Sequence, residues 1–199
     1  MNLTDKKYAN YALAQEMMDT VATVKKFDPS ASAEVAKVIA QTKKLFLTGE
    51  GSSRIFPAKN AMRKAKRWGL DLNIQTDGSR QSYEYDLSNY SVYCASNSGR
   101  TKEVVLLAKK LTEAGKQDVF GLTACEDTIL SKQCKATHVL NCGWEQAVAA
   151  TKSVIEQTLF YESILWNIQG LDKTAELQDL ADKLEKALTL EIPADIVEY

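Results

Sequence analysis

The chain has 199 residues, of which 45% are hydrophobic, and its formal net charge at pH 7 is −1. A charge this close to zero argues against dependence on nucleic acid, which requires a large positive surface. No apolar run approaches the roughly 18 residues of a membrane span, and the first residues lack the apolar core of a signal peptide. These features predict a single globular, cytoplasmic protein with neither nucleic acid nor a membrane as partner.

Two helices are predicted ahead of the main pattern. The first covers roughly residues 5–26. Asp28 followed by Pro29 is typical of an N-cap and a first helical residue, so a second helix is expected to run through Ile39.

From Lys44 onward, short apolar runs alternate with helical stretches. The runs read LFLTG, LNIQT, SVYCAS, VFGLTA and THVLN. Helices are expected up to Trp68, up to Ala114, briefly near Ser131, and over about residues 146–168. Strands that are apolar throughout and alternate with helices predict a parallel sheet with helices on both faces. The predicted fold class is therefore α/β, a three-layer α/β/α sandwich with a five-stranded parallel sheet.

After Gly170 a further amphipathic helix is predicted over roughly residues 172–188, and the tail TLEIPADIVEY has no clear pattern. The simplest division is an N-terminal helical extension (1–43), a central α/β domain (44–168) and a C-terminal helix with a tail (169–199). We expect these to form one structural domain.

The cysteines and the single histidine predict no metal site. Cys94 and Cys125 lie in or beside apolar runs, and the cysteine spacings match no zinc or redox pair. His138 alternates with Val139 and Leu140 on a predicted strand and lacks partner ligands. We therefore expect these side chains to be structural, with no metal and no other cofactor.

Two loops between a strand and a helix have the residue types of an anion site. They read TGEGSSR after the first strand and SNSGRT after the third. Ligands of parallel sheets bind beyond the carboxyl ends of the strands, where helix N-termini offer N–H groups and a partial positive charge. Gly51 and Gly99 free the backbone there, and Ser52 with its neighbouring hydroxyls can donate. Neither loop has the ending of a nucleoside triphosphate loop, and GEGSSR lacks the third glycine of a dinucleotide fingerprint.

A simpler interpretation is that these hydroxyls only cap the two helices. It remains open for GEGSSR. It is weaker for SNSGRT, since one cap needs one hydroxyl and this loop supplies three with an amide.

The segment GWEQAVAATKS, residues 143–153, leads into the predicted long helix. Glu145 would be stabilised by the helix dipole, so a plain acid at a helix start is one interpretation. The other is a general base that moves a proton beside a carbonyl group. Glu145 is the best-placed candidate for such a base in this chain.

These three segments resemble the sugar isomerase (SIS) domain family over about residues 44–168. SNSGRTKEV is similar to the most diagnostic motif of the family, GEGSSR to its first serine loop and EQAVAATKS to its third segment, in the same order. More narrowly, the chain looks like the first of two SIS repeats in the isomerase half of glucosamine-6-phosphate synthase and its relatives. The resemblance implies a flavodoxin-like sandwich that binds phosphosugars.

The resemblance also implies roles for single residues. Ala150 stands where a serine normally contacts the sugar, and the acid and base residues of the second repeat have no counterpart here. A second copy of the chain is expected to take the place of that repeat, which predicts a homodimer or a larger oligomer. The residues assigned to phosphate or sugar are Ser53, Ser96, Asn97, Ser98, Thr101, and the backbone of Val148 and Ala149.

The leading functional hypothesis is an aldose/ketose phosphate isomerase that works through an enediol, with Glu145 moving the proton. One alternative is a non-catalytic phosphosugar sensor or a partner subunit. Another is an aminosugar phosphate isomerase, deaminase or deglycase, for which Lys152 could form an imine, although the plain interpretation of Lys152 is a solvated lysine. The role of Arg100 stays open between anion binding and solvent exposure.

Overall fold

The computed structural model of the chain describes residues 2–197. Its strands are β1 (Lys44–Gly49), β2 (Asn73–Gly78), β3 (Ser91–Ala95), β4 (Val119–Thr123) and β5 (Ala136–Val139). They form one sheet in the order β2-β1-β3-β4-β5, and every neighbouring pair is parallel. This is the flavodoxin-like strand order, so the predicted fold class is confirmed.

The helices before β3 are α1 (Ala12–Lys26), α2 (Ala33–Thr42), α3 (Ser52–Arg67) and the short α4 (Ser79–Ser82). After β3 follow α5 (Lys102–Glu113), α6 (Lys152–Gln169), α7 (Thr174–Leu188) and α8 (Ala194–Val197). Short 3-10 turns, Lys6–Tyr8 and Pro29–Ser32, precede α1 and α2. Among the described residues, no helix is long and apolar enough to cross a membrane.

Alternating strand residues build the two buried faces of the sheet. Leu45 and Leu47 of β1 point into a core shared with α3 and α6, whereas Phe46 between them points into a core shared with α5. β3 repeats the pattern, with Tyr93 on the first face and Cys94 on the second. The period of two therefore places helices on both sides, as expected for a three-layer sandwich.

Four predicted helices differ from the observed ones. One is the second helix, whose first residues form the 3-10 turn Pro29–Ser32, so that α2 itself runs over Ala33–Thr42. The first starts at Ala12 instead of near residue 5, because Asp5 closes a separate 3-10 turn by accepting a bond from the Lys7 N–H (3.1 Å). The residues near Ser131 form turns, since the Ser131 N–H donates to the Thr128 hydroxyl (3.0 Å) and the Ser131 hydroxyl donates back to the Thr128 carbonyl (2.8 Å).

The long helix also differs from its prediction, because it begins at Lys152 and not near Gln146. The tail, predicted without clear structure, contains the short α8, and residues 198 and 199 lie outside the described part of the chain.

β1 and β3 are neighbours in the sheet, but the helices that follow them cover opposite faces. The loops after these strands therefore lie side by side at the topological switch point, where open α/β sheets bind ligands. Gly49 at the end of β1 is in register with Ala95 at the end of β3. A Cβ on Gly49 would lie 2.9 Å from the Ala95 carbonyl oxygen, so the close approach of the two strand ends requires glycine.

Candidate functional site

The loop of residues 96–101 folds back on itself at the carboxyl end of β3. The hydroxyl oxygens of Ser96 and Thr101 are 2.7 Å apart and share a hydrogen bond across the loop. The Gly99 N–H closes it by donating to the Ser96 carbonyl (2.9 Å), and the Arg100 N–H donates to the Ser98 hydroxyl (3.2 Å). Arg100 itself is exposed. The loop therefore gathers three hydroxyl groups in one turn.

Gly99 gives this loop its shape. Its φ is +60°, a left-handed conformation that glycine adopts readily, and a Cβ there would lie 2.3–2.5 Å from three side-chain atoms of Thr128. The Gly99 carbonyl also accepts from the Leu130 N–H (3.0 Å). The segment after β4 thus packs directly against the backbone of the 96–101 loop.

The helices that follow the two serine loops are not capped by the side chains expected to do so. The N-cap of α3 is Gly51 and the N-cap of α5 is Thr101, and neither forms a side-chain capping bond. In the described structure, the backbone N–H groups of Asn97 and Ser98 also have no acceptor. The capping interpretation is therefore wrong for both helices, and donors remain at both N-termini.

The loop of residues 49–53 joins the site to α6. Gly51 turns the chain with φ +58° and ψ −136° before Ser52 and Ser53 enter the first turn of α3. The buried Gln157 of α6 donates its side-chain amide to the Ser53 carbonyl (2.5 Å). Both serines are half-buried, so their hydroxyls lie at the edge of the site.

Glu145 lies outside α6 but caps it with its side chain. One carboxylate oxygen accepts from the backbone N–H (2.7 Å) and the hydroxyl (2.8 Å) of Thr151, and the other accepts from the hydroxyl of Ser153. This bonding explains why the helix begins at Lys152. The contacts of Glu145 are therefore those of an acid that caps the start of a helix.

Ser153 joins this carboxylate to the 96–101 loop. Its fully buried hydroxyl also accepts a bond from the Asn97 side-chain amide, at 2.7 Å. The other end of that amide, Asn97 Oδ1, is buried and has no hydrogen-bond partner. The structure thus brings the candidate base and the hydroxyl-rich loop together and leaves an acceptor between them, which a ligand hydroxyl or amine can satisfy.

The remaining predicted site residues lie on the 143–151 loop. Val148 and Ala149, whose backbone the sequence assigns to the sugar, are exposed. Ala150 is half-buried and lines a mostly apolar cavity of about 310 Å³, whose lining also includes the polar residues Thr20, Ser52 and Thr151. The alanine therefore gives this part of the site an apolar wall where the family pattern has a hydroxyl.

Two acids that hold the loops were not found by sequence reasoning. Glu16 of α1 is 6% exposed and accepts from the backbone N–H groups of Gln146 (2.5 Å) and Ala147 (3.2 Å). Glu156 of α6 is 1% exposed and accepts two backbone N–H groups of the segment after β5. For Glu16 a signal existed in the sequence, because Val21 and Val24, five and eight residues after it, place this acid next to the apolar face of the predicted helix.

Lys152 is not the solvated lysine that we expected. Only 12% of its side chain is exposed, and its ammonium lies 3.1 Å from the Asp19 carboxylate of α1. Imine formation would need the neutral amine of Lys152, and the ion pair with Asp19 favours its charged ammonium form.

His138 and the cysteines lie outside the site. The His138 ring stacks on Phe160 with 4.1 Å between centroids, and burial lowers its pKa to about 4. Burial raises the pKa of the Cys134 thiol to about 12, and Cys94 is fully buried whereas Cys125 is half-buried. Within residues 2–197 no cluster of His, Cys, Asp and Glu side chains could hold a metal ion.

The sheet order defines a doubly wound α/β protein, and the loops at its switch point present backbone N–H groups and hydroxyls of the kind that bind anions. The family model of the SIS domain matches residues 38–166, which is more than half of the chain. The chain therefore belongs to the SIS domain family, a phosphosugar-binding domain, as its three motifs predicted. No curated protein matches the sequence.

Several solved structures share the fold. A "putative phosphosugar isomerase" from Silicibacter pomeroyi DSS-3 is 21% identical with a TM-score of 0.74, and the alignment covers 92% of this chain and 58% of that one. The C-terminal domain of glucosamine-fructose-6-phosphate aminotransferase from Francisella tularensis is 16% identical with a TM-score of 0.65, over 94% of this chain and 56% of that one.

A third structure, the NanR protein of Vibrio vulnificus complexed with ManNAc-6P, is 15% identical with a TM-score of 0.61, over 94% of this chain and 72% of that one. The chain thus spans little more than half of the first two structures and a larger part of the third. At these identities the similarity shows the fold alone.

Proposed function

We propose that the protein binds a sugar phosphate, with the phosphate on the 96–101 loop and the sugar between the 49–53 and 143–151 loops. The observation that carries this proposal is the surplus of donors. The N-termini of α3 and α5 lack side-chain caps, and the loop that leads into α5 carries the hydroxyls of Ser96, Ser98 and Thr101. Helix N-termini with free N–H groups favour phosphate.

The proposed reaction is the interconversion of an aldose phosphate and a ketose phosphate. A base removes the proton from the carbon beside the carbonyl, the enediol forms, and the proton returns to the neighbouring carbon. Glu145 is the proposed base, because its carboxylate is linked to the 96–101 loop through Ser153 and Asn97. A phosphate fixed on that loop would hold the reacting carbons at a set distance from the base.

A non-catalytic phosphosugar binder is the second candidate, and the bonding of Glu145 favours it. Both carboxylate oxygens already accept hydrogen bonds from Thr151 and Ser153. A base must offer a free lone pair to the substrate, so Glu145 is less available than an unbonded carboxylate.

We also propose that the protein works as a homodimer or a larger oligomer. Exposed apolar side chains lie beside the site, among them Phe56 of α3 at 64% and Ile55 at 37% exposure. An apolar surface next to the ligand favours a second copy that covers it. A solution mass equal to one chain, measured by light scattering, would contradict this.

Ligand binding is tested by thermal shift with fructose 6-phosphate, glucosamine 6-phosphate, arabinose 5-phosphate and the same sugars without phosphate. We expect the phosphates to stabilise the protein and the unphosphorylated sugars to do so far less. Thr101→Val should reduce this stabilisation, since it removes a hydroxyl of the loop. Thr112→Val, the same change at the other end of α5, is the matched control because Thr112 bonds only its own helix. Equal effects of the two variants would refute the phosphate site.

Catalysis is tested by deuterium exchange at the carbon beside the carbonyl, in D₂O, with each sugar phosphate that binds. Exchange in the wild-type protein that is lost in Glu145→Gln supports the isomerase. Binding without exchange supports the binder. The aminosugar phosphate in the panel addresses the remaining alternative.

A further inference from the structure

Glu16 is a buried acid that no step of the proposed function uses. It lies on α1, outside the region matched by the SIS family model, and 6% of it is exposed. Its bonding partners are the backbone N–H groups of Gln146 (2.5 Å) and Ala147 (3.2 Å). No lysine, arginine or histidine forms an ion pair with it among the described residues.

A buried carboxylate such as that of Glu16 is stable in its charged form only while its oxygens accept hydrogen bonds. Removing a buried carboxylate from water is unfavourable unless hydrogen bonds replace the water that it loses. The 143–151 loop lacks regular secondary structure, so its own N–H groups need acceptors as well. Glu16 therefore satisfies two N–H groups of the loop, and its carboxylate has no other hydrogen-bond partner within the described structure.

A second contact from α1 holds the far end of the same loop. Asp19, one helical turn after Glu16, forms the ion pair with Lys152, the first residue of α6. The two contacts enclose the stretch that contains Val148 and Ala149, which is exposed. The loop is thus fixed at both sides of the residues whose backbone the proposed function assigns to the sugar.

We propose that Glu16 is a positioning residue that sets the backbone of the 143–151 loop for recognition of the sugar, which makes α1 part of the binding site. This inference rests on the proposed function. It goes beyond that function because it assigns sugar recognition, and not phosphate binding, to an acid of the N-terminal helices.

The first test measures the loop without any ligand. Hydrogen exchange of the full-length Glu16→Gln protein should be faster than wild type in peptides that cover residues 143–151, because one N–H loses its acceptor and faces an amide NH₂ instead. Glu34→Gln controls for charge, since Glu34 is exposed and pairs only with Lys37. Val24→Ala controls for weaker packing of α1, because Val24 is buried about two helical turns after Glu16.

The second test measures the ratio of two dissociation constants, that for inorganic phosphate divided by that for fructose 6-phosphate or arabinose 5-phosphate. A hydrogen bond to a charged group changes an equilibrium constant by at least about a factor of ten, and this bond sets the loop that the sugar contacts. Glu16→Gln should therefore lower this ratio about tenfold while the affinity for inorganic phosphate stays as in wild type. Both control variants should keep the wild-type ratio, even where Val24→Ala lowers the melting temperature.

The outcomes separate the two proposals. Unchanged exchange in the loop, or equal losses for inorganic phosphate and the sugar phosphate, would overturn the role of Glu16. If wild-type protein binds neither probe, the proposed function fails, and the assignment of Glu16 to sugar recognition fails with it. Faster exchange in Glu16→Gln would then show that the contact with the loop is real although its purpose is different.

Discussion

Replacing Gly99 by alanine tests whether the 96–101 loop is held by the segment after β4. The new Cβ would lie 2.3–2.5 Å from the Cβ, Oγ1 and Cγ2 atoms of Thr128, and the φ of +60° is unfavourable for alanine. Because one of these atoms is the Thr128 Cβ, a rotation of that side chain cannot relieve the clash. The backbone of one segment must move.

The magnitude follows from two separate terms. Left-handed backbone costs alanine about 1–2 kcal/mol. Forcing an extra methyl group into a packed site costs a further ~1–3 kcal/mol. We therefore expect Gly99→Ala to lower the free energy of unfolding by about 2–5 kcal/mol. In a chain of this size each kcal/mol shifts the melting temperature by roughly 2–4 °C.

Gly170→Ala is the matched control for this prediction. Gly170 ends α6 with φ +67° and ψ +31°, and a Cβ there has no neighbour within 4 Å. It should therefore lose only the backbone term, about 1–2 kcal/mol. Both variants are measured by urea unfolding and calorimetry. Equal losses would refute the contact with Thr128. A double variant Gly99→Ala/Thr128→Gly should lose less stability than the sum of the two single variants, because Thr128→Gly relieves the clash and also removes a bond to Ser131; an additive loss would refute the contact as well.

Two further predictions concern buried ionisable groups. Glu156→Gln should lower the free energy of unfolding by about 1.5–3 kcal/mol, since it weakens two bonds to the segment after β5; urea unfolding measures this, and a loss no larger than in exposed Glu34→Gln would contradict it. His138 has a folded pKa of about 4 against an ordinary value of 6.5, so the unfolded chain takes up the proton first. Stability from this group is complete above pH 6.5 and falls towards pH 4, by up to about 3 kcal/mol. His138→Gln should flatten that part of the pH profile, and identical profiles would contradict the assignment.

The sheet was predictable because it depends on local pattern. Each strand is a short apolar run, and residues such as Leu45 and Phe46 point to opposite faces whatever the rest of the chain does. Their alternation with helices then leaves few topologies for a parallel sheet. The loops of the site were predictable for the same reason, since they follow β1 and β3 directly.

The 143–151 loop was not predictable in this way. The sequence after Glu145 has helical periodicity, yet the helix begins only at Lys152. Glu145 accepts a hydrogen bond from the Thr151 N–H. Glu16, which lies 130 residues away in sequence, accepts hydrogen bonds from the N–H groups of Gln146 and Ala147. Contacts at that separation override local propensity, and a single sequence does not reveal them.

The same bonding decides how a variant of Glu145 can be interpreted. Alanine would remove a possible base and the cap of α6 together, so a lost activity would have two causes. Glutamine keeps an oxygen that accepts from both donors of Thr151, but its NH₂ replaces the oxygen that accepts from the Ser153 hydroxyl in the wild-type protein. The two bonds from Thr151 are therefore preserved while the ability to take up a proton is lost, and the Ser153 hydroxyl loses its acceptor. An unchanged melting temperature in Glu145→Gln, with sugar phosphate still bound, would make any loss of deuterium exchange a property of the base alone.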